Sequence, residues 1–251
     1  MTDAAPAETA ADRATGLSLA ERVCRARVAF FDCDGVLLDS NRIKTEAVAH
    51  TLRDFPREGV ALCLQAFERA FGRGRREHFE VFHAILAGLP GAEVGDRDAF
   101  VGERTARYAE RLARTYPQAR AAPGADALLT LLGDAGIPAH VVTGGVASEA
   151  EQALVNAGLR SRLGEIHGTP IAKAAAMGGI LARHGLAAES AIMFGDARAD
   201  HDAAVALGCP FVFVSGLALV DVAALMDGED DKKPECMTID NLFPHSMIIL
   251  I

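Results

Sequence analysis

The stretch FFDCDGVLLDS, residues 30–40, decides the fold. Together with the preceding residues it forms an apolar run, Val28-Ala29-Phe30-Phe31. Such a run, β-branched and aromatic without alternation, is what a strand buried on both faces of a parallel sheet requires. Two carboxylates then arrive two residues apart, Asp32 and Asp34, just before Gly35. If the chain is still extended there, successive side chains alternate, so Asp32 and Asp34 share a face that Cys33 does not. Taken alone, two aspartates before a glycine are also what a simple turn uses. The rest of the chain bears on the choice.

Similar apolar runs recur at Ala139–Val142, Ala191–Phe194 and Phe211–Val214, with a weaker one at Gly164–His167. Between them lie helical patterns at Ala125–Asp134, Ala147–Asn156, Ala172–His184 and Asp200–Leu207. Each is followed by a glycine (Gly136, Gly158, Gly185, Gly208), the usual helix stop. Alternating strands and helices predict an α/β fold, a Rossmann-like parallel sheet with helices on both faces. Residues 41–116 break the rhythm with no convincing strand. Thr45, Val48, Leu52 and Phe55 form one apolar stripe there, and Phe79, Phe82, Leu86 and Leu89 another. The organisation expected is a tail at 1–16, a core from 17–40 and 117–251, and about four inserted helices at 41–116. After Val220 an acidic GEDDKK loop precedes a candidate edge strand at Met247–Ile251.

Bulk properties narrow the function. The 251 residues carry a net charge of −9, which argues against a general nucleic-acid binder. The five cysteines (Cys24, Cys33, Cys63, Cys209, Cys236) are odd in number and contain no CxxC pair. They read as reduced thiols, predicting a cytoplasmic protein without a disulfide framework or zinc site. The first sixteen residues are polar and Ala-rich, unlike a signal peptide, and are expected to be disordered. Ala203–Leu225 is apolar over a membrane-spanning length, but Gly208-Cys209-Pro210 interrupts it. It reads as helix, turn and buried strand, and no membrane partner is expected. Oligomeric state is left unassigned.

In an open parallel sheet, ligands collect at the carboxyl ends of the strands. There the sequence supplies Asp32 and Asp34, then Thr143-Gly144-Gly145, then Lys173, then Gly195-Asp196 and Asp200. Carboxylates with carbonyls and water make a hard-oxygen site suited to Mg²⁺. Glycine N–H groups, a hydroxyl and a lysine suit an anion, and a phosphoryl group is the natural ligand. Duller roles compete residue by residue. Thr143 could cap a helix, and Asp200 could cap the helix that follows it. Lys173 resists this, because a cation in a first helical turn opposes the dipole unless an anion is near. The eight histidines show no metal-ligand spacing.

Asp32-x-Asp34-Gly-Val, Thr143, Lys173 and Gly195-Asp196-x-x-x-Asp200, in that order, resemble the four motifs of the haloacid dehalogenase superfamily. The inserted helices are similar to its helical cap, as in phosphoglycolate phosphatase and β-phosphoglucomutase relatives. The resemblance spans roughly residues 28–216. It implies Asp32 as nucleophile and Asp34 as general acid, then base, with the Asp34 backbone carbonyl on the metal. It also implies Asp196 as metal ligand, Asp200 as support for metal or Lys173, and Thr143 with the Gly144 N–H on phosphate. Substrate choice would lie in the cap, where Arg75, Asn41 and Lys44 are candidates, with Arg73 and Arg76 beside them. The expected activity is hydrolysis of a small phosphorylated metabolite, a sugar phosphate or phosphorylated acid; a phosphomutase is the alternative. A receiver domain would gather similar residues but is about half as long and lacks the insert. A dead interaction module would not need the motifs intact.

Overall fold

The computed structural model describes residues 19–91, 93–221, 223 and 236–239. The tail at 1–16, the GEDDKK segment and the expected strand at 247–251 lie outside these. In chain order the elements are α1 (Leu19–Arg25), β1 (Val28–Phe31), β2 (Leu38–Asp39), α2 (Asn41–Thr51), α3 (Arg57–Arg69), α4 (Arg75–Ala87) and α5 (Arg97–Thr115). There follow β3 (Arg120–Ala121), α6 (Ala125–Asp134), β4 (Ala139–Val146), α7 (Ala147–Asn156), β5 (Ile166–Thr169), α8 (Lys173–His184), β6 (Ala191–Gly195), α9 (Arg198–Leu207), β7 (Phe211–Val214) and β8 (Cys236–Ile239).

Six of these strands form one parallel sheet in the order β5-β4-β1-β6-β7-β8. β1 is flanked on both sides, which explains why none of its side chains reaches solvent. Its residues feed two cores in alternation. Ala29 and Phe31 join Leu128, Leu154, Phe194 and Val212 on the face covered by α6 and α7. Phe30 joins Met177, Ile180, Met193 and Phe211 on the face covered by α8 and α9. The Phe31 and Phe194 rings stack at 4.8 Å, and burying each such side chain stabilises the fold by about 1.5–3 kcal/mol. The five strands predicted within the described residues are present, the weaker one at Ile166–Thr169 rather than Gly164–His167. The sixth, β8, was not legible because four residues after a charged loop carry no pattern.

Two short strands, β2 and β3, pair antiparallel (Leu38 with Ala121, Asp39 with Arg120) at the two ends of the insert. Between them stand the four helices α2 to α5. Their apolar faces meet one another through Phe79, Phe82, Leu86 and Tyr108, with Phe79 edge-on to Tyr108 at 5.7 Å. Asp96 caps α5, accepting from the Ala99 N–H at 3.0 Å. Leu52 and Phe55, expected on the first stripe, follow the end of α2 rather than lying within it. Among the described residues no helix is long and apolar enough to cross a membrane.

Candidate active site

The strand ends bring Asp32, Asp196 and Asp200 together. Each is essentially inaccessible to solvent, and each offers an oxygen within 4.8 Å of the others. The loop after β6 carries Asp196, whose Oδ2 accepts from Asn41 Nδ2 at 2.7 Å; Asn41 also donates to the Leu217 carbonyl at 2.8 Å. Gly35 makes this possible. Its φ is +76°, and a Cβ there would stand 1.9 Å from Asp196 Oδ2, so backbone sterics and space both demand glycine. α9 begins at Arg198, two residues earlier than expected, and Asp200 lies inside its first turn. From there it accepts from the Ala197 N–H at 3.1 Å and from Lys173 Nζ at 2.6 Å. One side chain therefore both holds the backbone at the start of α9, from inside the helix rather than as its cap, and pairs with Lys173. Lys173 opens α8, and its Nζ also stands 3.1 Å from Asp32 Oδ1.

Electrostatics follow from this crowding. Burial, then the Asp200 charge, push the Asp32 carboxyl up to about 7, with Lys173 opposing. Burial also raises Asp196 well above the carboxylate range, aided by Asp32 and Asp200. For Lys173 burial works the other way, but Asp200 and Asp32 outweigh it and keep the ammonium charged. One lysine thus faces three carboxylates. Asp196 Oδ1 and Asp32 Oδ1 are buried without a hydrogen bond, although Lys173 is within ion-pair reach of the latter. Buried orphan oxygens are rare and costly. Clustered hard oxygens of this kind fit a small divalent cation such as Mg²⁺.

Beside the carboxylates, β4 does not stop at Val142 as expected but runs on to Val146, with an irregular register against β5. Thr143 and Gly144 therefore sit within a strand, and Thr143 Oγ1 accepts from the Gly145 N–H at 3.0 Å. A Cβ on Gly144 would lie 2.0 Å from the Gly72 carbonyl. The loop before α4 therefore rests directly on the strand end. The chamber between them is lined by Asp32, Asp34, Lys44, Tyr108, Thr143 and Gly144, among others.

The remaining candidates are distributed unevenly. Asp34 lines the same chamber but turns toward α2, where Lys44 Nζ and Ser40 Oγ (2.6 Å) donate to its two oxygens. Burial alone would raise this carboxyl; Lys44 and Ser40 bring it below its ordinary value. Lys44 lies over the Tyr116 ring at 4.9 Å. Arg75 lines the chamber but is bound through both nitrogens to Glu149 of α7, at 3.2 and 2.6 Å, and lies 5.5 Å from the Tyr108 ring centre. Asn41 serves the carboxylate cluster. Cys33 is fully buried, burial keeps its thiol protonated, and its Sγ lies 3.5 Å from Tyr116 Oη. Ser40, Tyr108, Tyr116 and Glu149 were not singled out in the sequence, and nothing in their spacing marks them.

A parallel sheet whose strand ends gather a lysine, a threonine and three clustered carboxylates offers groups chemically suited to a cation and an anion side by side. The comparisons give that class a family. Residues 26–208 match the family model of haloacid dehalogenase-like hydrolases, and the chain belongs to this family. Among solved structures, a predicted phosphoglycolate phosphatase from Haemophilus somnus superposes with a TM-score of 0.69 at 19% identity, over 87% of this chain and 95% of that one. A haloacid dehalogenase-like hydrolase from Streptococcus pneumoniae gives 0.64 at 20%, over 85% and 94%. CbbY from Rhodobacter sphaeroides, in complex with phosphate, gives 0.61 at 19%, over 86% and 95%. At such identities the likeness is one of fold. A search of curated proteins returned no match.

Proposed function

We propose that this chain is a Mg²⁺-dependent phosphatase that hydrolyses a small phosphate monoester through an aspartyl-phosphate on Asp32. The observation that carries the reading is the convergence of Asp32, Thr143 and Gly144 on one chamber, with Lys173 3.1 Å from Asp32 and a buried carboxylate cluster beside them. Asp32, Asp196 and Asp200 would hold the cation, with the Asp34 carbonyl as a further ligand. Bound there, Mg²⁺ offsets carboxylate repulsion and the charge on phosphoryl oxygens.

The chain's own groups divide the remaining work. Thr143 and the Gly144 N–H orient the phosphoryl oxygens, and Lys173 neutralises charge beside Asp32. An Asp32 oxygen bonds to phosphorus as the ester P–O bond breaks, and the leaving oxygen takes a proton from Asp34. Water then attacks phosphorus, Asp34 takes its proton, and the Asp32–phosphorus bond breaks. Asp34 paired with Lys44 is ionised, the state the second step needs. An incoming phosphate dianion favours its protonation for the first, because like charges raise a carboxyl pKa. The four helices act as a cap that excludes bulk water.

The test is phosphate release from an aryl phosphate and from small phosphate monoesters, with Mg²⁺ or with chelator. Activity should require the metal and fall at least about a thousandfold in Asp32→Asn. Retained activity in that variant refutes the nucleophile, and formation of an isomer instead of free phosphate refutes hydrolysis in favour of a mutase.

A further inference from the structure

The insert meets the core in two places of different character. At its ends β2 and β3 pair with each other, and Asn41, which opens α2, donates to Asp196 Oδ2 and to the Leu217 carbonyl. A segment fixed at two adjacent points keeps one large freedom, rotation about them, so what restrains it must lie elsewhere. Midway along the insert, the turn between α3 and α4 rests on the sheet edge. A Cβ on Gly72 would lie 3.3 and 3.4 Å from the Cβ atoms of Ala199 and Ala197, and the Gly72 carbonyl faces Gly144. Contacts between such small groups contribute little on their own.

Among the described residues two ion pairs join the insert to the core. Lys44 with Asp34 spans ten residues of chain and lies at the hinge end. Arg75 with Glu149 spans 74 and lies at the free end. Each residue's place in its helix fits the pairing. Arg75 is the first residue of α4, where the helix dipole opposes a cation, and Gly74 before it supplies no side-chain cap. Glu149 stands in the first turn of α7, where the dipole favours an anion. The carboxylate across the interface thus offsets what its own helix costs the arginine. Arg73 and Glu77, which share the outer groove beside α8, make no ion pair to the core among the described residues. Arg76 faces outward to Glu80 and Asp98.

We propose that Arg75 and Glu149 form the latch that holds the helical insert down on the core, so that entry to the chamber is governed by one ion pair and by ionic strength. Arg75 is then a positioning residue and not a reader of substrate. The two side chains are 16% and 30% exposed, so the bridge is bidentate but partly screened, and breaking it should raise the open fraction about fivefold. The latch needs only the fold and stands apart from the phosphatase reading.

The experiment reads entry to the chamber directly, without turnover. His78 lines the chamber, is buried, and belongs to the same helical turn as Arg75. Burial, then Arg73 and Lys44, push it down to about 4, so at pH 7 its imidazole is neutral and reactive toward diethyl pyrocarbonate. His201, wholly inaccessible within the core, reports loosening of the fold as a whole. Both are followed by mass spectrometry of the labelled full-length chain. In Arg75→Gln and in Glu149→Gln, His78 should label about fivefold faster with His201 unchanged. The double variant should label no faster than either single one, and exchanging the charges (Arg75→Glu with Glu149→Arg) should return the rate toward wild type. The outward-facing Arg76→Gln should match wild type. Raising salt from about 0.05 to about 0.5 M should speed His78 labelling in wild type and not in the single variants. Wild-type labelling in both single variants overturns the latch. So does a rise confined to Arg75→Gln, which makes the arginine act alone, and so does a parallel rise at His201, which makes the pair a general support of the fold. None of these results bears on the Asp32→Asn test of hydrolysis.

Discussion

Replacing Asp32 with asparagine should stabilise the metal-free protein at alkaline pH while destroying its activity. In the fold the Asp32 carboxyl is raised from 3.8 to about 7, chiefly by burial and by Asp200. A carboxyl raised on folding binds its proton more tightly in the native state. The associated stability is therefore fully present below the unfolded value and is lost as pH rises through the folded one. At 1.36 kcal/mol per pH unit the full loss is on the order of 4 kcal/mol, of which about 2.5 kcal/mol falls between roughly pH 5 and 8. Asp196 and Asp200 are shifted in the same direction and are relieved when the Asp32 charge goes, so this difference is a floor. The assay is urea unfolding of chelator-treated wild type and Asp32→Asn across that range. The wild type should lose more stability than the variant by about 2.5 kcal/mol. Added Mg²⁺ at the upper pH should recover stability in the wild type and much less in the variant. Parallel pH profiles for the two proteins would refute the claim that the cluster is electrostatically frustrated without a cation.

Two further outcomes test the packing around the site. Gly144→Ala puts a methyl 2.0 Å from the Gly72 carbonyl, so the insert loop must lift off; kcat/KM should fall by about tenfold or more while the urea midpoint shifts little. Arg104→Met removes a buried guanidinium that binds Asp54 at 2.7 and 2.8 Å and the Thr51 carbonyl at 2.9 Å. Unfolding should become easier by about 2–3 kcal/mol, and Asp54→Asn, on the exposed side of the pair, should cost less by the same measurement.

How much of this was legible in the chain depends on whether the signal was local. The strand Val28–Phe31 could be read because burial on both faces demands an unbroken apolar run, and the four glycine-terminated helices because their stops are chemical. Strand ends then told which polar residues belong together: Asp32, Asp196, Asp200, Lys173 and Thr143 all follow apolar runs, and a parallel sheet has one carboxyl edge. β4 was read as stopping too early because Thr143-Gly144-Gly145 resembles a helix opening, whereas pairing with β5 keeps it extended. β8 escaped because a four-residue edge strand gains its stability from its neighbour, not from its own pattern.

The sequence by itself determined the α/β sheet, the helical insert and the roster of acidic and basic residues on one edge, since periodicity and strand-end position are local properties. Tertiary structure decided what each charge faces. Arg75, a substrate candidate from its helix alone, lines the chamber and is paired there with Glu149, 74 residues away. Asn41 was another, and it serves Asp196 across 155 residues. Asp34 and Asp32 left the strand as equivalents, and Lys44 and Ser40 separated them. Ion pairing and hydrogen bonding depend on distances between segments that no local pattern encodes.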